Sequence, residues 1–336
     1  MADVNGVPVL VMRGGGTKGA YFRAGDLPSD EGERDRLLLT LTGWPRGVDG
    51  VGGQVAVVVD AAADPLVADV GCLVLTARRD RPGVETARPC GGILAAVGAF
   101  AIERGLVSAA SGSFSDVRVM PGPIGFPVTV RVPLHGGRPL YDGDTAISGV
   151  PGTSARFLIA LAGLPTLPTG RLTDDLDGVP VTLIDNGRPV VLVPAAALGV
   201  TGYETPTRLE YDHGLRQRVD SLRLRARELA GAVPRMCLVA PPMQGGNLCT
   251  RTFGRERVHA GIGVRTAVGV GAAAALPGSV AAGLVKPAAP GVARDVLRLE
   301  HPSGFFDVVA EPGEGRSAIV STARLLVDGQ VMIRAR

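Results

Sequence analysis

Short apolar runs, separated by clusters of Gly, Pro, Asp and Asn, make up most of this chain. In the first half, Val7–Met12, Val55–Val59, Cys72–Thr76, Val117–Met120 and Val128–Val132 predict strands. Gly91–Arg104 differs: it is small and apolar nearly all round and is closed by Gly105. A helix apolar on every face belongs in the interior, wrapped by a sheet. The second half repeats the scheme. Val179–Ile184, Val190–Val193, Met236–Val239, Val296–Leu299, Phe305–Val309, Ser317–Leu326 and Gln330–Ile333 predict strands. Leu215–Ala230 reads as a charged, amphipathic surface helix, and Gly261–Leu276 as a second small-residue helix ended by Pro277-Gly278. Gly, Pro and Thr concentrate at Gly163–Gly170. The expected organisation is therefore two similar β-rich halves, with domains at 1–165 and 166–336, each wrapping one small-residue helix. A cleft between such halves would bring the two helix N-termini face to face.

Composition narrows the class. Of 336 residues, 46% are hydrophobic but only 4% aromatic, so the core must be built from Val, Leu and Ala. The 48 glycines and 26 prolines favour a turn-rich β fold over a helical bundle. A formal charge of +3 is too small to indicate a nucleic-acid partner, and the arginines of 216–227 read as a solvated helix face. No apolar run approaches the ~20 residues that span a bilayer, and no secretory leader is visible, which predicts a cytoplasmic protein with no membrane partner. The four cysteines, Cys72, Cys90, Cys237 and Cys249, show no CxxC pair and no metal-ligand spacing; they read as free thiols, with no metal site implied.

Two segments carry chemistry. Arg13-Gly-Gly-Gly-Thr-Lys18-Gly19 is a glycine-rich, cationic loop directly after an apolar strand. Arg13 and Lys18 bracket backbone N–H groups at Gly15, Gly16 and Thr17 that suit a carboxylate. Pro89-Cys90-Gly91-Gly92 puts one thiol at the mouth of the first small-residue helix. Helix N-termini carry about half a positive charge, and a cysteine there has its pKa lowered from about 8.5 toward roughly 3.5–7.5. A thiolate beside an anion-binding loop points to proton transfer on a carboxylate substrate, with Cys90 as acid/base and Gly91 and Gly92 admitting the ligand's close approach. The plainer reading of Cys90 is a small residue packed at a helix start. Gly53 and Gln54 read equally as an anion loop or a simple turn. Arg265, near the start of the second central helix, suits either a second carboxylate or a structural ion pair. Cys72 and Cys237 read as core thiols and Cys249 as part of a polar loop. His259 and His301 are placed toward the cleft.

The segment Met12-Arg-Gly-Gly-Gly-Thr-Lys-Gly19 resembles the MRGGTSKG signature of the PrpF family, which includes 2-methylaconitate isomerase, methylitaconate isomerase and 4-oxalomesaconate tautomerase. Asp49-Gly-Val-Gly-Gly53 is similar to the family's DGLGG. Pro89-Cys90-Gly91-Gly92 and the residues through Val107 are similar to its NCGN-x-x-AAVGPFAIExGLV. Val150-Pro-Gly-Thr153, Leu167-Pro-Thr-Gly170, Asp185-Asn-Gly-Arg-Pro189, Leu276-Pro-Gly-Ser279 and His301-Pro-Ser303-Gly304 follow in order.

The resemblance implies an α/β (α+β), diaminopimelate-epimerase-like fold, in which each of two domains is a mostly antiparallel sheet rolled around a central helix and the active-site cleft lies between them. It implies a cofactor-free proton shift on a small unsaturated carboxylate, shared between the cysteine and a lysine. It also implies substrate contact at Ser303. This chain departs from the pattern: the loop that ends in the family's lysine is cut short at Gln54, and NCGN has become Pro89-Cys-Gly-Gly92. The second cysteine of diaminopimelate epimerases is absent, and Arg265-Thr266 stand near the start of the second central helix instead. Lys18, the only lysine in the first half, is the replacement at hand. An isomerase is the leading expectation. A repurposed enzyme of specialised metabolism (cyclisation, dehydration or isomerisation) and a non-catalytic carboxylate-binding descendant are the alternatives. A homodimer is the generic expectation for such a protein.

Overall fold

Valine occurs in most of the strands, because its branched Cβ packs well on a pleated, half-buried surface. The computed structural model of the protein describes residues 4–42, 55–78, 83–87, 89, 91–122, 126–161, 163, 165–310 and 317–334. The chain divides into two compact units, Met1–Ala162 with Ser321–Arg336, and Gly163–Val320.

In the first unit, β1 (Val4–Gly14) and β2 (Thr17–Arg23) form a hairpin. Helix α1 (Glu31–Thr42) precedes β3 (Val55–Ala61), which lies parallel to β2, and β4 (Val70–Ala77) returns antiparallel. After β5 (Val84–Ala87) on the edge of β4 comes α2 (Gly91–Glu103). Then β6 (Phe114–Pro121) runs parallel to β4 and β7 (Val128–His135) antiparallel to β6. Strands β8 (Arg138–Pro139) and β9 (Phe157–Leu161) both pair with β7.

The second unit opens with β10 (Asp174–Leu176) on β11 (Val179–Asp185), which forms a hairpin with β12 (Pro189–Pro194). Helices α3 (Pro206–Tyr211) and α4 (His213–Ala230) lead to β13 (Arg235–Ala240), parallel to β12, and β14 (Leu248–Phe253) returns antiparallel. Helix α5 (Val264–Ala274) precedes β15 (Val296–His301), parallel to β14. Strands β16 (Gly304–Ala310) and β17 (Ser317–Ser321) then add antiparallel.

Both units thus pair in one order: antiparallel, parallel, antiparallel, parallel, antiparallel. Each parallel step needs a long crossover, and a helix lies in each. The expected pair of mostly antiparallel sheets, each around a central helix, is what the chain forms. Helix α2 is buried along Ile93–Ala101 and touches β1, β2, β6, β7, β8, β9 and β18 (Ala323–Arg334). Helix α5 is buried along Thr266–Ala273 and packs on β11, β12 and β16.

The end of the chain differs from the expected division at 166–336. Strand β18 leaves the second unit and pairs antiparallel along the whole of β1, so the last residues belong with the first. The expected strands Ser317–Leu326 and Gln330–Ile333 are re-divided: the break falls at Thr322, and β18 runs on through Gly329. Helix α1 was not anticipated. Its signal is Asp30, whose carboxylate accepts the Glu33 N–H at 2.9 Å as an N-cap, while Leu38 and Leu41 are buried. Helix α4 follows its amphipathic pattern. Asp212 caps its start by accepting the Leu215 N–H, and Gly231, at φ 67°, ends it.

Cys249 belongs to β14 and is buried, not part of a polar loop. The adjacent turn is held by the buried Glu300 carboxylate. It accepts the N–H groups of Met243, Gln244 and Gly246 at 2.9, 2.6 and 2.9 Å. Among the described residues, no helix is long and apolar enough to cross a membrane, and no cluster of acidic, His or Cys side chains is arranged to hold a metal ion.

Candidate active site

The glycine-rich segment is a hairpin turn rather than an open loop. In the β1–β2 register Arg13 faces Lys18 and Gly14 faces Thr17, which leaves Gly15-Gly16 as the turn. Gly15 adopts φ +55°, and its N–H donates to Thr322 O at 2.8 Å. That amide is thus already committed, contrary to the expected row of exposed donors. The guanidinium of Arg13 donates to Gly15 O (2.8 Å), Thr322 Oγ1 (2.9 Å) and Ser154 Oγ (2.9 Å). These bonds use three of its five N–H donors and tie β18 and the 154 region to the turn. Burial, with Arg324 second, lowers the Arg13 pKa, and the group remains a cation. Gly16 and Lys18 are exposed and Thr17 is half-buried.

This turn sits directly on the first turn of α2. A Cβ on Gly14 would lie 2.2 Å from Gly92 O, and one on Gly92 would lie 2.5 Å from Gly14 O and 2.8 Å from Gly15 Cα. Only glycine permits backbone to meet backbone so closely. The two segments singled out in the sequence, 77 positions apart from Gly15 to Gly92, therefore meet, with Gly14 and Gly15 against Gly92, while a Cβ on Gly16 would lie nearest Val150, at 3.9 Å. Cys90, Gly53 and Gln54 lie outside the described residues. In the chain Cys90 immediately precedes Gly91, the first residue of α2.

The second unit repeats the arrangement with different side chains. The β11–β12 hairpin turn, at Asn186-Gly187, meets the start of α5. Asn186 Nδ2 donates to Arg265 O at 2.6 Å, and Arg265 Nη1 donates to Gly187 O at 2.7 Å. Thr266 is buried in the first turn of α5. Ser303, in the β15–β16 turn, donates through Oγ to Ala260 O at 2.7 Å, just ahead of α5. His301 Nδ1 accepts the Ser303 N–H at 3.3 Å. Arg265, Thr266 and Ser303 therefore gather around one helix start. Asn186 was missed as a site residue; its signal was its place in a tight turn between two strands.

Burial, with Arg251 beside it, holds the His301 pKa below the ordinary histidine value, against the raising effect of backbone hydrogen bonds at Phe305 and Ala260. A depressed histidine stabilises the fold above the unfolded pKa, and that contribution is lost as pH falls. Urea midpoints are therefore expected to drop as pH is lowered below about 6.5, and less steeply in His301→Gln; equal slopes would contradict this.

The three described thiols are unsuited to acid/base work. Burial pushes Cys72 and Cys237 up to about 12 and raises Cys249 as well. All three are buried.

Comparison with known proteins places these sheet-around-helix units, each with a turn seated at its helix start, in a family of enzymes. The chain belongs to the PrpF family, whose PrpF protein model matches residues 4–334. It is 43% identical to a 4-oxalomesaconate tautomerase of Pseudomonas putida, over 97% of this chain and 96% of that protein. It is 41% identical to a (4E)-oxalomesaconate Delta-isomerase of a Novosphingobium species, over 98% of each. The crystal structure of a methylitaconate-delta-isomerase superposes with a TM-score of 0.83 at 25% identity, covering 99% of this chain and 96% of that one. The protein is an isomerase of the PrpF type.

Proposed function

We propose that the protein interconverts isomers of a small unsaturated oxo-carboxylate of the oxalomesaconate kind by a cofactor-independent proton shift. The observation that carries this reading is the seating of the Arg13–Lys18 hairpin on the first turn of α2, next in the chain to Cys90. The base removes a proton from carbon activated by a neighbouring carbonyl and double bond. The electron pair delocalises into a dienolate, and the acid returns a proton at the far end of the conjugated system. One proton leaves and one is added, so the step needs neither oxidant nor co-substrate.

Cys90 takes the acid/base role, and Lys18, exposed and facing Arg13 across the hairpin, is its proposed partner. The remaining donors of Arg13 and the N–H groups at the start of α2 stabilise the carboxylate and the dienolate, as preorganised donors do for developing oxyanions. In the second unit, Arg265, Thr266 and Ser303 are proposed to contact the substrate. The identity to the two oxalomesaconate enzymes over nearly the full chain supports this substrate class.

The test is proton NMR in D₂O with oxalomesaconate, 2-methylaconitate and methylitaconate as separate substrates. Deuterium uptake that requires the enzyme, fastest with oxalomesaconate, is the expected result. Absence of enzyme-dependent uptake with all three would overturn the reading.

A further inference from the structure

We propose that the second unit carries a binding site for a small, multiply charged oxyanion in an arginine-lined groove of about 760 Å³. Five arginines line it, Arg188, Arg223, Arg235, Arg255 and Arg257, together with His259.

The sheet topology brings these residues together from distant parts of the sequence. Val190 of β12 is in register with Arg235, the first residue of β13, and Arg188 stands two positions before Val190. Met236 is in register with Phe253, the last residue of β14. A bridge between Phe253 and Val258 then folds the following segment into a tight turn, closed by Gly254 N–H donating to Arg257 O at 2.8 Å. Arg255 and Arg257 lie on that turn. Arg223 of α4 braces it from the other side, donating to Phe253 O and Gly254 O at 3.4 and 3.0 Å. Three strand ends and one helix therefore deliver cations to a single rim.

The charges are not balanced from within. Arg223 is the one lining arginine with a carboxylate partner among the described residues, Asp220 on its own helix. Glu256 is the one acidic residue in the lining. Arg235 is half-buried, and its Nη1 lies 3.0 Å from His259 Nε2. A guanidinium can only donate, so His259 is the acceptor there and its ring is neutral. Burial lowers the Arg235 pKa, and the nearby Arg188 and Arg223 lower it further; His259 is depressed by burial, Arg235 and Arg188. Cations that lower one another's pKa are ones an anion would relieve. Gly254 keeps the floor open, since a Cβ there would lie 2.8 Å from Arg257 O, 3.4 Å from His259 Nε2 and 3.5 Å from Arg235 Nη1. Guanidinium forks match the paired oxygens of carboxylates and phosphates, so the ligand class is a polycarboxylate or a phosphate-type anion with at least two charged groups.

The experiment is isothermal titration of the whole chain with pyrophosphate and, separately, propane-1,2,3-tricarboxylate, at low and moderate salt. Saturable one-to-one binding of at least one is expected. It should weaken about tenfold or more in Arg188→Gln/Arg235→Gln and stay unchanged in Arg227→Gln, an exposed α4 residue outside the groove. Preference for pyrophosphate would assign a phosphate-type ligand, and preference for the tricarboxylate a carboxylate one; both support the site. A second readout avoids dependence on the folding of the double variant: in the unmutated chain, the bound anion shifts the His259 ring-proton resonance. No saturable binding of either anion, binding unchanged in a folded double variant, or an unmoved His259 resonance at saturation would overturn the proposal. Deuterium exchange at the α2 site is measured separately, so neither result prejudges the other.

Discussion

Replacing Cys90 by alanine is expected to cut enzyme-dependent deuterium exchange into the substrate by about 10²–10⁴-fold, the usual size of a general acid/base contribution. The expectation rests on elimination as well as position. Of the four cysteines, Cys72, Cys237 and Cys249 are buried with raised pKa values, the wrong direction for cycling a proton near neutrality. Cys90 alone precedes the start of a buried helix whose first turn receives the cationic hairpin. Cys90→Ser should fail nearly as badly, because a hydroxyl keeps the size but not the acidity of the thiol. Cys72→Ser, in the β4 core, should instead lose stability while the folded fraction keeps its exchange rate. Rates measured by NMR in D₂O and normalised to folded protein decide the matter. Cys90→Ala exchanging within about threefold of the parent, less than half a power of ten, would remove the thiol from the mechanism.

Gly92→Ala is expected to destabilise the protein by about 2–3 kcal/mol, the upper part of the range for overpacked sites. Alanine in a helix is ordinarily better than glycine by about 1 kcal/mol, so the sign itself is diagnostic. The added methyl would sit 2.5 Å from Gly14 O and 2.8 Å from Gly15 Cα. Both are backbone atoms of a hairpin pinned by Arg13 and by the Gly15-to-Thr322 hydrogen bond, with no flexible side chain to swing aside. Either the turn lifts off α2 or the first turn of α2 unwinds, and exchange activity should fall in both cases. Urea unfolding should show a lowered midpoint at unchanged slope. Gly25→Ala, where a Cβ meets nothing within 4 Å, is the neutral control. A Gly92→Ala protein as stable as the parent would mean that the contact is not the constraint described.

Much of this architecture was legible in advance because its signals are local. A helix apolar on all faces can only be interior, so α2 and α5 were readable with their place at the centre of each sheet. The β-branched runs marked most strands, and the amphipathic 215–230 pattern marked α4 as a surface helix. Elements that depend on a partner were harder. Strand β2 looked like part of a loop, because Thr17-Lys18-Gly19 has little strand character of its own; its pairing with β1 makes it a strand. Cys249 looked like a loop residue beside polar neighbours, yet those neighbours are buried in β14 and satisfied by bonds such as Thr250 Oγ1 to Glu300 O at 2.8 Å.

The candidate site divides the same way. Residue types at spacing were enough to single out the Arg13–Lys18 segment and the Cys90–Gly92 helix mouth, and to attach both to an isomerase family. The sequence by itself therefore determined the family and the sheet-around-helix units, and singled out the two segments to which the proposed chemistry is assigned, because glycine content, apolar periodicity and a lone thiol ahead of a helix act over a few residues. Tertiary structure alone decided that the glycine segment is a hairpin seated backbone to backbone on α2, that the last strand returns to pair with β1, and that Arg188, Arg235 and Arg257 share one groove. Those are contacts between positions tens to hundreds of residues apart, set by strand register and close packing, to which no local pattern is sensitive.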